Sequence, residues 1–140
     1  MRTHKLTMEL DGHKDFNFST DWSQDDRYCV TGGQDCSAIV WDIRNHDKPL
    51  RVLPCRNTAV ASAKFIADSN SKLYIAERYN NIRMIDMNNE TTDKYDISYY
   101  GITVGCDFNK KDRLFLGIEN EHNSGLLELP LKLKSGIFDF

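Results

Sequence analysis

Apolar and polar residues alternate with a period of two along much of the chain. The alternation is clearest in two stretches: Phe16, Phe18, Thr20 and Trp22, and then Ile102, Val104, Cys106 and Phe108. Because successive side chains of a β-strand point to opposite faces, this pattern predicts strands with one buried face. No stretch of about 11 residues shows the 3.6-residue period of an amphipathic helix. The pattern therefore predicts an all-β protein.

Short apolar runs between turn-forming Asp, Asn, Ser and Lys residues complete the strand assignment. The predicted strands lie near residues 16–22, 28–32, 38–43, 50–53, 59–65, 72–76, 82–86, 93–97, 101–108, 113–118 and 125–131. We also predict a strand over Leu6 to Leu10, as the last strand of a preceding unit.

The chain repeats itself with a period of about 44 residues. Three aromatic residues, Trp22, Phe65 and Phe108, are separated by 43 residues both times, and each precedes a polar turn and an apolar strand. A second landmark recurs at a spacing of 44, in Val40-Trp41-Asp42, Met84-Ile85-Asp86 and Glu128-Leu129-Pro130. Two landmarks with one period indicate repeated structural units.

The first unit opens with Gly12-His13 and closes with Trp41-Asp42. Four short strands in every 40 to 45 residues, bracketed in this way, resemble the WD-40 repeats of β-propellers. The resemblance implies an incomplete propeller of about three four-stranded antiparallel blades. The blades are expected near residues 12–54, 55–98 and 99–131, with 1–11 closing a preceding blade and 132–140 as a tail of unknown role.

The resemblance also implies a structural tetrad in the first unit, formed by His13, Thr31, Asp35 and Trp41. In the family the aspartate binds the histidine ring, the histidine contacts the hydroxyl, and the hydroxyl reaches the tryptophan N–H. Each of these polar groups needs a partner once it is buried. We therefore expect His13 to be architectural and to act neither as a base nor as a metal ligand.

The other two units depart from the family pattern. The positions of the tetrad Trp, Asp and hydroxyl are taken by Ile85, Tyr79 and Ala76 in the second unit, and by Leu129-Pro130, Ser124-Gly125 and Gly117 in the third. No Gly-His pair opens the second unit. We expect both units to keep the apolar strand residues and to lose the polar network.

Composition and charge limit the classes of partner. The 140 residues carry 18 Lys and Arg against 21 Asp and Glu, a net charge of −3. This balance argues against direct nucleic-acid binding, which needs clustered positive charge. No apolar run approaches the roughly 20 residues of a membrane helix, and the start does not resemble a signal peptide. We therefore expect a cytoplasmic or nuclear protein with no membrane contact.

The sequence offers little for catalysis. The four histidines are far apart, the four cysteines form no CxxC, and no nucleophile or zinc motif is present. Gly32-Gly33 ends a predicted strand with no helix after it, so it predicts a turn and not a phosphate site. We expect no enzyme activity, no catalytic residue, no cofactor and no metal.

About three blades are too few to close a ring, since propellers have four to eight. Either the chain is the C-terminal part of a longer propeller, or several chains associate to close one. The position of Met1, directly before an isolated predicted strand, favours the first of these explanations.

The resemblance implies a non-catalytic scaffold that binds other proteins. The family's partner-facing positions correspond here to Phe16, Phe18, Gln34, Arg78 and Tyr79. An alternating pair of phenylalanines in a strand is more often part of a core, whereas the Arg-Tyr pair is equally typical of a solvated turn. The sequence does not identify the partner or the pathway.

Two alternatives remain. The stretch Trp41-Asp42-Ile43-Arg44 resembles the box by which propellers serve as substrate receptors of cullin-type ubiquitin ligases. That resemblance implies that Asp42 and Arg44 contact the ligase adaptor. The other alternative is a truncated structural fragment without independent function.

Overall fold

The structure is a computed structural model, and it describes residues 6–56, 58–66, 69–88, 95–109 and 113–130. The predicted all-β fold is confirmed. The strands are β1 Asn17–Trp22, β2 Tyr28–Gly33, β3 Ser37–Asp42, β4 Arg51–Pro54, β5 Val60–Phe65, β6 Lys72–Glu77, β7 Tyr79–Asp86, β8 Tyr95–Phe108, β9 Arg113–Glu119 and β10 Ser124–Pro130, with a 3₁₀ helix at Ile43–Asn45. The expected C-terminal tail, 132–140, lies outside the described residues.

The strands form two antiparallel sheets. The first sheet has the order β1-β2-β3-β4, and the second has the order β10-β9-β8-β7-β6-β5. In each sheet consecutive strands are neighbours, which is the meander of a propeller blade. The first sheet contains one blade, whereas the second joins two units that the sequence predicted as separate blades.

The long strand β8 causes this joining. Its first half pairs with β7, with Ile97 opposite Ile82, and its second half pairs with β9, with Cys106 opposite Leu116. Between the halves, Gly101 has a φ of 145°. Backbone pairing thus continues through a bend that only glycine adopts readily. The prediction of two strands at 93–97 and 101–108 is therefore wrong on this point.

The blades pack through two apolar cores, which withdraw the inward side chains from water. The first core lies between the two sheets and contains Val30, Ala38, Val40, Leu53, Val60, Ala63, Phe65, Leu73, Ile75 and Ile85. The second lies between β5–β7 and β8–β10 and contains Ile66, Tyr74, Ala76, Ile82, Met84 and Leu114. There the Tyr74 ring meets Phe108 edge-on, with centroids 4.6 Å apart.

Polar side chains also fasten the inner strand β1 to β5. Ser19 Oγ accepts a hydrogen bond from Ala63 N at 2.9 Å and donates to Ala63 O at 3.2 Å. Two residues further along, Asp21 Oδ2 accepts from Phe65 N at 2.9 Å. Each pair is separated by 44 residues, the repeat period seen in the sequence. The two inner strands therefore run in the same direction, as in successive blades.

The strand predicted over Leu6 to Leu10 is absent: residues 6–13 form no regular structure. Leu10 instead packs against the buried side chains of Cys29, Ile39 and Trp41. A strand needs a hydrogen-bonding neighbour, and the described residues supply none beside this segment. Hydrophobic contact therefore places Leu10 on the outer face of the first blade.

Candidate interaction surface

The four residues expected to form a tetrad are joined in the structure by hydrogen bonds. His13 Nδ1 lies 3.0 Å from Asp35 Oδ2, and His13 Nε2 lies 2.8 Å from Thr31 Oγ1. Trp41 Nε1 donates to the same hydroxyl oxygen at 2.9 Å, and the Trp41 side chain is fully buried. With the proton on Nδ1, the histidine donates to the carboxylate and its Nε2 accepts from the Thr31 hydroxyl. The imidazole, carboxylate, hydroxyl and indole N–H of the tetrad then each have a partner.

A backbone amide and a side-chain hydroxyl fix the Asp35 carboxylate between β2 and β3. Oδ2 accepts from Lys14 N at 2.9 Å, and Oδ1 accepts from Ser37 Oγ at 2.8 Å. Burial would raise the pKa of Asp35, but these bonds and the one from His13 together lower it below its usual value. The carboxylate is therefore charged at neutral pH and anchors the turn.

The glycine before His13 has a steric reason. A Cβ at Gly12 would lie 2.8 Å from Trp41 Cη2 and 3.2 Å from Pro49 Cγ. The backbone therefore approaches the indole ring more closely than a side chain would permit. Gly12 packs on the tryptophan while His13 reaches Thr31 and Asp35.

The second unit contains a different polar network, formed by charged residues that the sequence did not single out. Glu77 and Arg83 are both buried, with Glu77 Oε1 and Arg83 Nε 3.7 Å apart. Glu77 Oε1 also accepts from Arg56 N at 3.1 Å, and Arg83 Nη2 donates to Pro54 O at 2.8 Å. This network ties the second unit to the end of β4. Its residues do not fall at the family's tetrad positions, so the motif comparison missed them.

In the second unit, the residue equivalent to Thr31 was expected to be Ala76, but the strand register shows that it is Ile75. Leu73 lies opposite Ile85, as Cys29 lies opposite Trp41 in the first unit. Thr31 follows Cys29 by two residues on the same face, and Ile75 has the same relation to Leu73. Ile75 belongs to the first core, whereas Ala76 points to the opposite face and the second core.

Asp42 and Arg44 interact with each other. Asp42 Oδ1 accepts from Arg44 N at 3.1 Å, which caps the 3₁₀ helix, and Oδ2 accepts from Arg44 Nη2 at 3.3 Å and from Arg27 Nη2 at 3.2 Å. The hydrogen bond from the Arg44 side chain is the largest cause of a lowered Asp42 pKa, about 2. The carboxylate is thus occupied within the chain, while 64% of the Arg44 side chain is exposed.

The five partner-facing candidates lie at one edge of the sheets, where β1 and β5 begin and β2 and β6 end. This edge is called the candidate surface, and it comprises Phe16, Phe18, Gln34, Arg78 and Tyr79. Gln34 N donates to Phe16 O at 2.8 Å, and Arg78 N donates to Ala59 O at 2.8 Å. Phe18 and Arg78 line one cleft of about 400 Å³. The structure thus brings residues from both sheets together.

The exposure of Phe16 and Phe18 decides whether these side chains belong to the core or face a partner. Phe16 is 76% exposed and Phe18 is 52% exposed, so neither side chain belongs to the apolar cores described above. Gln34, Arg78 and Tyr79 are exposed as well. Large exposed aromatic side chains on rigid strands are the usual anchors of protein interfaces.

Among the described residues, no group of three or more His, Cys, Asp or Glu side chains is arranged to hold a metal ion. The same part of the chain contains no helix long and apolar enough to cross a membrane.

Burial raises the pKa of the Cys55 and Cys106 thiols to about 12 in each case, which leaves both thiols protonated at neutral pH.

The meander sheets, the shared apolar cores and the His–Asp–Thr–Trp hydrogen bonds define a β-propeller of the WD-40 repeat type, and this chain forms an incomplete one. Among solved structures, the β-propeller domain of Cps50 (Swd1) from Myceliophteria thermophila superposes with a TM-score of 0.64 at 20% identity. The match covers 78% of this chain and 38% of that chain.

Curated proteins are also similar in sequence to parts of the chain. The chain is 35% identical over 68 residues to the WD repeat protein iqw1 of Schizosaccharomyces pombe, which covers 48% of this chain and 8% of that protein. It is 45% identical over 62 residues to Jouberin of Mus musculus, covering 44% of this chain and 6% of that protein. The chain thus spans less than a tenth of the length of these relatives. No family model matches the sequence.

Proposed function

We propose that this chain is a non-catalytic scaffold that binds another protein through the candidate surface. The observation that carries the proposal is the exposure of Phe16 and Phe18, 76% and 52%, at an edge where strands of both sheets meet. Burying these rings against a partner would remove apolar area from water at little cost in chain entropy, because the strands behind them are already ordered.

The surface is held rigidly by backbone hydrogen bonds. Gln34 is bonded to Phe16, and Arg78 N and O are bonded to Ala59 O and Thr103 N, both at 2.8 Å. Backbone bonds therefore tie Arg78 to the segment before β5 and to β8, and its side chain is presented from a fixed turn. A rigid scaffold that presents exposed aromatic and arginine side chains is typical of binding proteins.

Affinity purification with quantitative mass spectrometry tests the proposal. The test variant carries Phe16→Ser, Phe18→Ser and Arg78→Ala. The matched control carries Leu50→Ser and Leu126→Ser, which remove two apolar side chains that are 53% and 69% exposed elsewhere. We expect specific partners to be recovered with the wild type and the control but not with the test variant. Equal recovery with all three chains would contradict the proposal.

The ligase-receptor alternative has one specific observation in its favour, the 64% exposure of the Arg44 side chain just after β3. Its test is binding of a purified cullin-ligase adaptor to the wild type and to Arg44→Ala, measured by calorimetry. Asp42 is unsuitable as the test position, because its removal would also uncap the 3₁₀ helix. Absence of binding, or binding that Arg44→Ala leaves unchanged, would exclude this alternative.

A further inference from the structure

Two exposed tyrosines share a cleft at the junction of the second and third units. This tyrosine cleft has a volume of about 480 Å³ and is lined by Tyr79, Asn80, Tyr100, Gly101, Ile102, Glu119, Asn120 and Glu121. Tyr79 is 43% exposed and Tyr100 is 73% exposed. The cleft adjoins the candidate surface, with which it shares Tyr79.

The backbone fixes the two tyrosines beside each other. Asn80 has a φ of 59°, and its Oδ1 accepts a hydrogen bond from Gly101 N at 2.9 Å. Gly101 has a φ of 145°, and a Cβ there would lie 2.5 Å from Ile118 Cγ2. The residue after Tyr79 is thus bonded to the residue after Tyr100, which keeps both tyrosines in the lining of one cleft.

Strand pairing places the Glu119 carboxylate in the same row of cross-strand neighbours as Tyr79. Tyr79 lies opposite Ile102, and Ile102 lies opposite Glu119 across β7, β8 and β9. Glu121 follows in the next turn, and both glutamates are exposed. Within the described residues, no cation forms an ion pair with either carboxylate. Two negative charges therefore face the same cleft as the two aromatic rings.

This combination suits a cation. Aromatic faces attract ammonium and guanidinium groups through the ring quadrupole. Carboxylates add charge-assisted hydrogen bonds, and a guanidinium matches them with two parallel donors. An acidic ligand would instead meet like charges. Among the described residues that line the tyrosine cleft, none carries a positive charge.

Most residues that line the neighbouring cleft are apolar, and this cleft offers space for the next residue of a ligand. It shares Ile102 and Glu119 with the tyrosine cleft and is also lined by Phe18, Arg78 and Val104. Phe18 and Val104 are 52% and 63% exposed. A segment with a basic residue followed by an apolar one would fill both clefts at once.

We propose that the tyrosine cleft binds an arginine or lysine side chain of a partner protein, and that the following apolar residue of the partner covers Phe18 and Val104. The proposal rests on the proposed scaffold function and names the chemistry of the segment that the scaffold recognises.

Fluorescence anisotropy with a defined peptide tests the proposal on the full chain. The probe is a dye-labelled peptide, Ser-Ala-Arg-Leu-Ser-Gly, amidated at its C-terminus, and matched peptides replace Arg by citrulline or by Glu. Citrulline keeps the shape of arginine without the charge. We expect saturable binding of the Arg peptide, about fivefold weaker binding of the citrulline peptide and still weaker binding of the Glu peptide.

Variants of the chain locate the binding site. Glu119→Gln with Glu121→Gln should weaken the Arg peptide by about fivefold and remove much of its salt dependence. Tyr100→Leu should weaken it by about threefold. The control is Glu128→Gln, an exposed carboxylate paired with Arg113 on β9 and β10, and it should leave binding unchanged. Thermal melts of all variants show whether the fold is retained.

The outcomes separate this proposal from the scaffold proposal. If the Arg and citrulline peptides bind equally, or if the glutamate double variant binds like the wild type, cation recognition is wrong. If the Arg peptide fails to bind while the Phe16, Phe18 and Arg78 variant still loses its partners, cation recognition alone is overturned. If that variant keeps all partners, the scaffold proposal fails independently of the peptide result.

Discussion

The hydroxyl of Thr31 serves two buried partners at once, and this makes it the most sensitive polar atom of the first blade. It accepts from Trp41 Nε1 and lies within hydrogen-bond distance of His13 Nε2. Thr31→Val keeps the side-chain shape but leaves both groups without a partner. We expect a loss of about 1–3 kcal/mol in unfolding free energy, measured by urea titration.

Thr20→Val provides a matched control for this change. Thr20 lies directly opposite Thr31 on β1 but is exposed. Its substitution should change stability by less than about 0.5 kcal/mol. Equal effects of the two substitutions would show that the hydrogen bonds of Thr31 contribute nothing specific.

The two tryptophans differ in burial, as the two threonines do. Trp41 is fully buried, whereas Trp22 is 46% exposed. Trp41→Ala should destabilise the chain by about 3–5 kcal/mol, the cost of deleting a large buried aromatic side chain. Trp22→Ala should cost much less. Thermal melts of both variants test this, and similar melting temperatures would contradict the burial of Trp41.

Asp42 should show the pH dependence of a carboxylate held by arginine. Its folded pKa of about 2 lies below the ordinary value of 3.8, so its contribution to stability is present above about pH 4 and is lost as the pH falls towards 2. Arg44→Ala should raise this pKa, because the Arg44 hydrogen bond is its largest cause. Titration of the carboxyl carbon by NMR measures the shift, and an unchanged midpoint would refute the assignment.

The resemblance to WD-40 repeats implied which four side chains would form a tetrad, and in the structure hydrogen bonds join His13, Asp35, Thr31 and Trp41. The same reasoning missed Glu77 and Arg83, because charged residues in strands are usually exposed. One signal was available: Arg83 interrupts the apolar run Ile82 to Ile85 without changing its strand character. A charge inside such a run indicates a buried ion pair, but only the structure identifies Glu77 as the partner.

At the scale of elements, the two-residue alternation of apolar and polar side chains predicted most strands, because burial of one strand face produces this alternation. It failed where pairing depends on a neighbour. Residues 6–10 carry apolar side chains but have no adjacent strand among the described residues. Conversely, Gly101 does not interrupt β8, since Gly101 N bonds to the Asn80 side chain and the flanking residues pair with β7 and β9. Hydrogen-bonding partners are not encoded in local alternation.

Gly101 should therefore be the least replaceable residue of β8. Gly101→Ala would impose a left-handed φ on a residue with a Cβ and bring that atom against Ile118. We expect a loss of about 1–3 kcal/mol, seen in urea unfolding. Gly125→Ala is the control, because a Cβ at Gly125 meets nothing within 4 Å. Equal stability of the two variants would mean that the bend at Gly101 does not constrain the fold.

At the scale of the whole molecule, the repeat explains why one face of the first blade is under-packed. Leu73, Ile75 and Ile85 of the second blade are covered by the first blade. The equivalent face of the first blade carries Cys29, Thr31 and Trp41, and among the described residues outside the blade Leu10 packs on it. On the same face, Trp22 and Val52 remain 46% and 53% exposed. The repeat therefore predicts that another blade covers this face.

In a solution of this chain alone, a second copy is the available source of such a blade. We expect the mass from size-exclusion chromatography with light scattering to rise with concentration above that of a monomer. Trp22→Glu with Val52→Glu should restore the monomer, because two charges would then have to be buried in the contact. Leu50→Glu changes a side chain that is equally exposed but lines a cleft between the two sheets, and it should leave association intact. A monomer at all concentrations would show that the face stays exposed in the isolated chain, and that copies of the chain do not close the ring.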